Sequence, residues 1–104
     1  MDRKELIKKL GEFKKKIEKK YDIDFIILFG SRVKGKIHEA SDVDLIIVGK
    51  FKGKNSLQRA PKLYLEWNLD LPVDFLCYTP NEFNKLKKQI SIVKEAIKNG
   101  IEIR

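Results

Sequence analysis

Apolar side chains recur at helical spacing along the first twenty residues of the chain. They stand three or four positions apart, and lysines fill many of the positions between them. The apolar positions are Leu6, Leu10, Phe13 and Ile17. One apolar face and one charged face are typical of an amphipathic helix that packs on a core. The pattern therefore predicts a helix over residues 3–20, weakened slightly at Gly11.

Three continuous apolar runs follow, and they are rich in β-branched and aromatic residues. They read IDFIILF at 23–29, DVDLIIV at 42–48 and PVDFLCY at 72–78. Such runs predict buried strands. The terminal IEIR at 101–104 predicts a brief fourth strand.

The segments between the strands alternate between helical spacing and loop composition. Residues 56–70 predict a helix, in which Pro61 marks an early turn or a kink. Its expected apolar face is Leu57, Ala60, Tyr64 and Trp67. The segment SRVKGK at 31–36 predicts a short helix or turn, and the basic, glycine-containing segment 49–55 predicts a loop.

The sequence TPNE at 79–82 has the features of a helix start. Thr79 suits the N-cap, Pro80 the first helical position and Glu82 the third, which together form a capping box. We expect one helix from there to Gly100, because a glycine often follows the last helical turn. The expected buried positions are Phe83, Leu86, Ile90, Val93 and Ile97.

The order of these elements predicts an α+β fold, with a small mixed β-sheet flanked by helices. Twelve residues, 30–41, connect the first two strands, which is hardly enough for a parallel crossover. These strands are therefore expected to be antiparallel. The longer, helix-containing connection to the third strand allows a parallel pair. A chain of 104 residues fits a single domain, 1–104.

Composition indicates a globular protein with one core, without a membrane-spanning run or an internal disulfide. Hydrophobic residues make up 42% of the chain, enough for one core, and no apolar run is long enough to cross a bilayer. Cys77 is the single cysteine, so no internal disulfide can form, which suits a cytoplasmic location. The net charge of +8 favours anionic ligands, although a solvated, lysine-rich surface accounts for most of the lysines.

Two carboxylates stand at the start of the second strand. Asp42 and Asp44 are two positions apart, so on a strand they project from the same face. Their repulsion is relieved by a divalent cation, and Mg²⁺ takes carboxylates together with substrate phosphates. The alternative is ordinary turn chemistry before a strand, which would be favoured if the two acids stood alone.

Gly30 and Ser31 end the first strand and precede the expected short helix. Glycine allows close approach of a ligand to the backbone, and a serine N-cap with the following N–H groups can receive a phosphate. Arg32 adds a positive charge. The alternative is plain helix capping.

The expected topology brings these two features together. Antiparallel strands place Gly30-Ser31 beside Asp42 and Asp44, and a parallel third strand places Asp74 at the same end of the sheet. Asp74 lies between Val73 and Phe75, so it is an acid within an apolar strand. Its alternative role is that of a solvent-facing acid on an edge strand. Three carboxylates at one sheet end predict a two-metal site.

These residues resemble the motif of the nucleotidyltransferase superfamily with a polymerase-β-like core, and in particular its minimal members. The matching features are Gly30-Ser31, ten intervening residues, Asp42-Val43-Asp44, and a third acid, Asp74, on a later strand. Arg32, Gly35 and Ser41 also agree with the pattern, whereas Ile37 stands where many members have a small residue. The resemblance extends over nearly the whole chain and implies the polymerase-β-like fold.

The resemblance implies Mg²⁺-dependent transfer of a nucleoside monophosphate from an NTP, with ATP the favoured donor, to a hydroxyl group. Asp42, Asp44 and Asp74 are then the catalytic and metal-binding residues. Gly30, Ser31 and Arg32 are then the nucleotide-binding residues.

The resemblance also implies a partner. Minimal members often act beside a small helical protein of the HEPN type in toxin–antitoxin pairs, so the acceptor is expected on that protein. The alternative function is a non-catalytic antitoxin that neutralises such a partner by contact. Nucleic acid is a less favoured ligand, no membrane association is expected, and self-association is left open.

The remaining candidate residues are expected to have structural or surface roles. His38 is the lone histidine, and no second histidine or cysteine has zinc-ligand spacing. Cys77 is expected in the core. Tyr64 and Trp67 are expected to pack inside, but an exposed apolar surface on their helix would indicate a partner site. The basic loop 50–54 is expected to be solvated.

Overall fold

The computed structural model describes residues 2–30, 33, 42–89 and 91–104. Helices and strands follow one another in the order α1, β1, β2, α2, β3, α3, α4, β4. The helices are α1 (Arg3–Glu18), α2 (Ser56–Tyr64), α3 (Pro80–Leu86) and α4 (Ile92–Asn99). The strands are β1 (Ile23–Phe29), β2 (Val43–Gly49), β3 (Val73–Tyr78) and β4 (Ile101–Ile103).

The four strands form one mixed sheet in the order β3-β2-β1-β4. Strands β1 and β2 are antiparallel and β2 and β3 are parallel, as the connection lengths predicted. The short strand β4 pairs antiparallel with β1 on the other side. The α+β architecture and the brief fourth strand are both confirmed.

Helices α1 and α2 cover one face of the sheet. Asp2 caps α1 by accepting a hydrogen bond from the Glu5 N–H at 2.8 Å. The predicted apolar face is buried in full, at Leu6, Leu10, Phe13 and Ile17. These side chains pack with one set of strand residues and with Leu63 of α2. The prediction of the first helix is therefore confirmed, with its end at Glu18.

Helices α3 and α4 cover the opposite face. Alternate residues of β1 and β2 point to this side, including Ile27, Ile46 and Val48, and pack against Phe83 and Val93. The sheet thus has two apolar faces and is covered by helices on both. Asp44 is the second residue of β2, and Asp74 is the second residue of β3.

The prediction of one long last helix is wrong. The capping box at Thr79 and Glu82 is present, but α3 ends at Leu86 and a new helix begins at Ile92. Ser91 caps the second helix, and its hydroxyl also donates to the Leu86 carbonyl at 2.8 Å. The Ser91 side chain therefore binds the last residue of α3 and caps the N-terminus of α4. Ile97, which was expected in the core, is 46% exposed.

The predicted apolar face of the middle helix is also wrong. Helix α2 ends at Tyr64, and it buries Arg59, Ala60 and Leu63. Leu57 is 86% exposed, because the helix is rotated to bury the Arg59 guanidinium against Glu82. Trp67 lies after the helix and packs edge-on against Phe13 and Phe75 in the core region, as expected of a packing residue.

None of the helices described is both long and apolar enough to cross a membrane.

Candidate active site

Strand pairing places the candidate residues at one end of the sheet. Phe29, the last residue of β1, is the pairing partner of Asp44 on β2. Asp44 is in turn the pairing partner of Asp74 on β3. Paired residues of neighbouring strands project from the same face. Gly30, Asp44 and Asp74 are therefore neighbours across three strands, as the expected topology required.

The three acids differ in their exposure. Asp42 immediately precedes β2 and is exposed, as is Asp74 near the start of the edge strand β3. Asp44 is partly buried between them. We call Asp42, Asp44 and Asp74 the acid rim. It is open to solvent, so it can contact a ligand directly.

The carboxylates of the acid rim repel one another. Burial raises the pKa of Asp44 above its ordinary value, and the carboxylates of Asp74 and Asp42 raise that pKa further. All three effects disfavour the ionised form of Asp44. A cation at this position would remove the penalty.

Gly30 lies against the Asp44 carboxylate. Its φ of 82° is in the left-handed region that side chains rarely adopt. A β-carbon at this position would overlap the Oδ2 atom of Asp44. Glycine is therefore required here both for the backbone conformation and for the close approach to the acid.

The remaining nucleotide-binding candidates, Ser31 and Arg32, lie outside the described residues, as does the whole segment 34–41. Val33 is described. Its N–H donates to the Gly30 carbonyl at 3.2 Å, and its carbonyl accepts from Arg3 of α1 at 3.0 Å. Val33 is therefore hydrogen-bonded both to the end of β1 and to α1.

The chemistry of the acid rim suits a hard divalent cation. All its ligand atoms are carboxylate oxygens, which Mg²⁺ prefers. Within the described ranges, no group of three or more His, Cys, Asp and Glu side chains is close enough to enclose a metal ion. Two exposed acids flanking a half-buried one form an open arrangement, which fits Mg²⁺ when substrate phosphates complete its coordination.

The acid rim borders a cleft of about 890 Å³. Asp44 and Asp74 line it together with Phe29 and Gly30. Its walls come from α2, with Ser56, Leu57, Ala60, Pro61 and Tyr64, and from α4, with Ile92, Glu95, Ala96 and Asn99. Asn99 donates a hydrogen bond to Glu95 at 2.7 Å, so one wall is partly polar. Apolar walls with a few polar groups are typical of small-molecule sites, which usually have volumes of roughly 300–1,000 Å³.

Two residues of α2 were not predicted: Ser56, which lines this cleft, and Arg59, which is buried. The Ser56 hydroxyl and the buried Arg59 guanidinium bind the outer edge of β3. Their role depends on Phe75, Cys77 and Glu82, which lie about twenty residues further along the chain. The sequence signal was slight: an arginine between apolar positions of a helix indicates a charge that can be buried only with a partner.

Comparisons with known proteins agree with this geometry. The sequence profile of the family described as "Polymerase beta, Nucleotidyltransferase" matches residues 12–103. The "Putative protein adenylyltransferase MJ1305" of Methanocaldococcus jannaschii is 43% identical over 61 residues. That match takes in 57% of this chain and 42% of the relative, so the chain spans less than half of the relative's length.

A solved structure has the same fold. It is the crystal structure described as that of "a putative nucleotidyltransferase from Sulfolobus solfataricus", with a TM-score of 0.66 and 19% sequence identity. The similarity takes in 96% of this chain and 80% of that one. The profile match includes Gly30, the acid rim and all four strands. The chain therefore belongs to the polymerase β nucleotidyltransferase family.

Proposed function

We propose that this protein is a Mg²⁺-dependent nucleotidyltransferase that moves a nucleoside monophosphate from an NTP to a hydroxyl group. The observation that carries the proposal is the strand register. It pairs Asp44 with Asp74 and brings Gly30 against the Asp44 carboxylate. Gly30 and the acid pair Asp44 and Asp74 thus meet at one edge of the cleft.

Each residue of the site has a proposed role. Asp42 and Asp44 would hold Mg²⁺, and Asp74 would complete the metal site. The chemistry supplied by such ions is neutralisation of charge on the triphosphate and on the leaving pyrophosphate. Gly30, Ser31 and Arg32 are proposed to bind the β- and γ-phosphates. Asp74 is also proposed to help activate the acceptor hydroxyl.

ATP is the proposed donor. The name of the M. jannaschii relative, a protein adenylyltransferase, supports this choice. The cleft is large enough for a nucleotide and part of an acceptor. A cytoplasmic location belongs to the same proposal, because NTPs are abundant there and the single cysteine needs no oxidising compartment.

Isothermal titration tests the donor. The unaltered protein should bind ATP in the presence of Mg²⁺, and the Asp42→Asn, Asp44→Asn double variant should not. The double variant keeps both side-chain sizes, so circular dichroism should show an unchanged fold. If the unaltered protein binds no MgATP, either alone or with its partner, the proposed activity is wrong.

The proposed acceptor is a hydroxyl on a small helical protein of the HEPN type. Helix α2 and the residue after it carry an exposed stripe, Leu57, Pro61, Tyr64 and Leu65, at spacings of four, three and one residues. Leu57 and Leu65 are each 86% exposed. Exposed apolar surface of this kind is typical of protein interaction sites.

The position and charge of this stripe support a different protein as its occupant. Leu57, Pro61 and Tyr64 also line the cleft, so a partner on the stripe would reach the acid rim. A second copy of this chain would bring together two molecules that each carry a charge of +8. An acidic partner is favoured for the same reason.

The stripe can be tested separately from the acids. Co-expression with a HEPN-type protein encoded by the adjacent gene should give a complex that the Leu57→Gln, Leu65→Gln double variant does not form. That variant should still bind MgATP. Equal complex formation by both proteins would exclude the stripe as the contact surface.

A second candidate function is a non-catalytic antitoxin that acts by contact. The same stripe favours it, because contact through Leu57 and Leu65 does not require the acid rim. In that case the Asp42→Asn, Asp44→Asn variant would neutralise the partner as well as the unaltered protein does. A catalytic antitoxin would lose neutralisation with the acids, and mass spectrometry of the partner would show an added nucleotide only with the unaltered protein.

A further inference from the structure

Strand β3 is held on one side by the sheet and on the other by two side chains. It is an edge strand, and among the described residues β2 is its only strand neighbour. The outer edge of such a strand carries backbone groups without strand partners. Asp74 lies on this strand, so whatever holds the outer edge also fixes the position of that acid.

Ser56, the first residue of α2, binds this outer edge twice. Its hydroxyl oxygen accepts a hydrogen bond from the Cys77 N–H at 2.9 Å. The same hydroxyl donates to the carbonyl of Phe75 at 3.4 Å. Phe75 is the next residue after Asp74. The Ser56 hydroxyl is therefore both a donor and an acceptor to β3, and one of these bonds lies next to Asp74.

Arg59 anchors the helix that carries Ser56. It is 6% exposed and donates to the Cys77 carbonyl at 3.0 Å and to the Gly53 carbonyl at 2.9 Å. It also forms an ion pair with Glu82 of α3 at 2.5 Å. A buried guanidinium is stable only when its donors are satisfied. This network fixes the first turn of α2 relative to β3.

The acid rim creates a need for such a restraint. Asp44 and Asp74 are pairing partners on adjacent strands, and like charges opposite each other weaken strand pairing. Because β3 lies at the edge of the sheet, repulsion can push it outward without breaking the sheet. Contact with α2 from the outer side opposes that movement.

We infer that Ser56 is a positioning residue, which holds Asp74 beside Asp44 for the metal–nucleotide complex through its two hydrogen bonds to β3. This inference rests on the proposed function. Ser56 acts through the strand, because its hydroxyl donates to the Phe75 carbonyl and accepts from the Cys77 N–H. Its loss should therefore change the metal site while the rest of the fold is retained.

The test compares three variants. Ser56→Ala removes both hydrogen bonds, and Ser56→Thr keeps the hydroxyl. Ile103→Val removes one buried methyl group from β4, at the opposite edge of the sheet, and serves as the control for loss of stability alone. Mn²⁺ binding is measured by electron paramagnetic resonance in the presence of α,β-methylene-ATP, so that no turnover is needed.

We expect Ser56→Ala to bind Mn²⁺ about tenfold more weakly, the lower end of the range for loss of a hydrogen bond that supports a metal ligand. Ser56→Thr and Ile103→Val should bind Mn²⁺ as the unaltered protein does. Normal Mn²⁺ binding by Ser56→Ala, or an equal loss in Ile103→Val, would overturn the inference.

Hydrogen exchange separates this inference from the proposed function. In Ser56→Ala the amide of Cys77 should exchange about fivefold faster, which corresponds to one net hydrogen bond, and the amide of Ile47 on β2 should not change. Unaltered exchange at Cys77 would show that Ser56 does not hold β3. Failure of the unaltered protein to bind Mn²⁺ and nucleotide, with faster exchange at Cys77 in the variant, would overturn the proposed function and leave only the restraint on the strand.

Discussion

Gly30 combines two constraints that a side chain would violate. Its backbone is left-handed, and its α-carbon faces the carboxylate of Asp44. We expect Gly30→Ala to lower the free energy of unfolding by about 1–3 kcal/mol, the cost of a strained backbone position. The added methyl group should also displace Asp44 and abolish MgATP binding. Urea denaturation and isothermal titration measure the two effects.

Gly53 provides the matched control for this prediction. Its φ is 103°, so Gly53→Ala strains the backbone as well, but the new methyl group would meet Gln58 and Arg59 rather than an acid. Gly53→Ala should therefore lose stability and keep MgATP binding. Retained binding in Gly30→Ala would mean that the contact with Asp44 has no part in the site.

Asp44 is expected to reduce the stability of the free protein. Its pKa is raised by burial first and then by the charges of Asp74 and Asp42, so its ionised form is disfavoured in the folded state. Asp44→Asn should raise Tm at pH 7 by roughly 2–5 °C, as expected when its repulsion by Asp74 and Asp42 is removed. Scanning calorimetry without divalent cations measures this.

The sign of the pH dependence provides a check. A carboxyl whose folded-state pKa is raised loses stability as the pH rises through that pKa. The advantage of Asp44→Asn should thus be present at pH 7 and disappear below about pH 4, where the carboxyl is protonated in both states. Asp24→Asn, at an exposed position of β1, should shift Tm little at either pH. A lower Tm for Asp44→Asn at pH 7 would contradict the electrostatic account.

Among the elements, Arg59 of α2 joins two others: it forms an ion pair with Glu82 of α3 and donates to the Cys77 carbonyl of β3. Glu82 completes the capping box at Thr79 and also binds Arg59, which holds the pKa of the Glu82 carboxyl below its usual value. Glu82→Gln should lower the free energy of unfolding at pH 7 by about 1–2 kcal/mol, since partial exposure of Glu82 screens part of the interaction.

The effect of Glu82→Gln should depend on pH. A depressed folded-state pKa adds stability above the unfolded-state pKa of about 4.3, and that stability is lost as the pH falls through the folded-state pKa. The difference between the two proteins should therefore shrink below pH 4 in urea titrations. Glu102→Gln, at an exposed position of β4, should change stability by less than about 0.5 kcal/mol. An effect of Glu82→Gln that is equal at pH 3 and pH 7 would exclude the ion pair as its cause.

The sequence predicted the strands better than the helices. Strand positions were carried by local apolar runs, and pairing directions followed from connection lengths, so Asp44 and Asp74 could be expected side by side. The division between α3 and α4 was missed because the apolar spacing of Phe83 and Val93 continues across it. The Ser91 hydroxyl, which binds the last residue of α3 and the first turn of α4, marks the division.

Long-range polar contacts explain the other errors. The burial of Arg59, and with it the rotation of α2 that exposes Leu57, depends on Glu82, which is twenty-three residues away. No periodicity within α2 contains that information. Gly100 was correctly expected to follow the last helix, but its φ is −83°. Glycine is needed there because a β-carbon would lie 2.6 Å from Ile27 of β1.

At the scale of the whole molecule, a protein of net charge +8 carries its acid rim at the edge of a cleft of about 890 Å³. The overall positive potential attracts an anionic nucleotide, whereas the acids repel it at close range. Bound Mg²⁺ would neutralise the acids and so remove their repulsion of the nucleotide. Nucleotide and Mg²⁺ are therefore expected to bind together, and neither should bind well alone.

This coupling predicts a large thermal shift that needs both ligands. A ligand that binds only the folded state at one hundred times its Kd adds about 2.7 kcal/mol of stability, which raises Tm by roughly 10–20 °C in a domain of this size. ATP with Mg²⁺ should reach this shift, and ATP with EDTA or Mg²⁺ without nucleotide should give a small part of it. In the Asp42→Asn, Asp44→Asn variant the combined shift should fall to the level of ATP alone. An equal shift by ATP in EDTA would mean that lysines bind the phosphates and that the acid rim does not hold a metal.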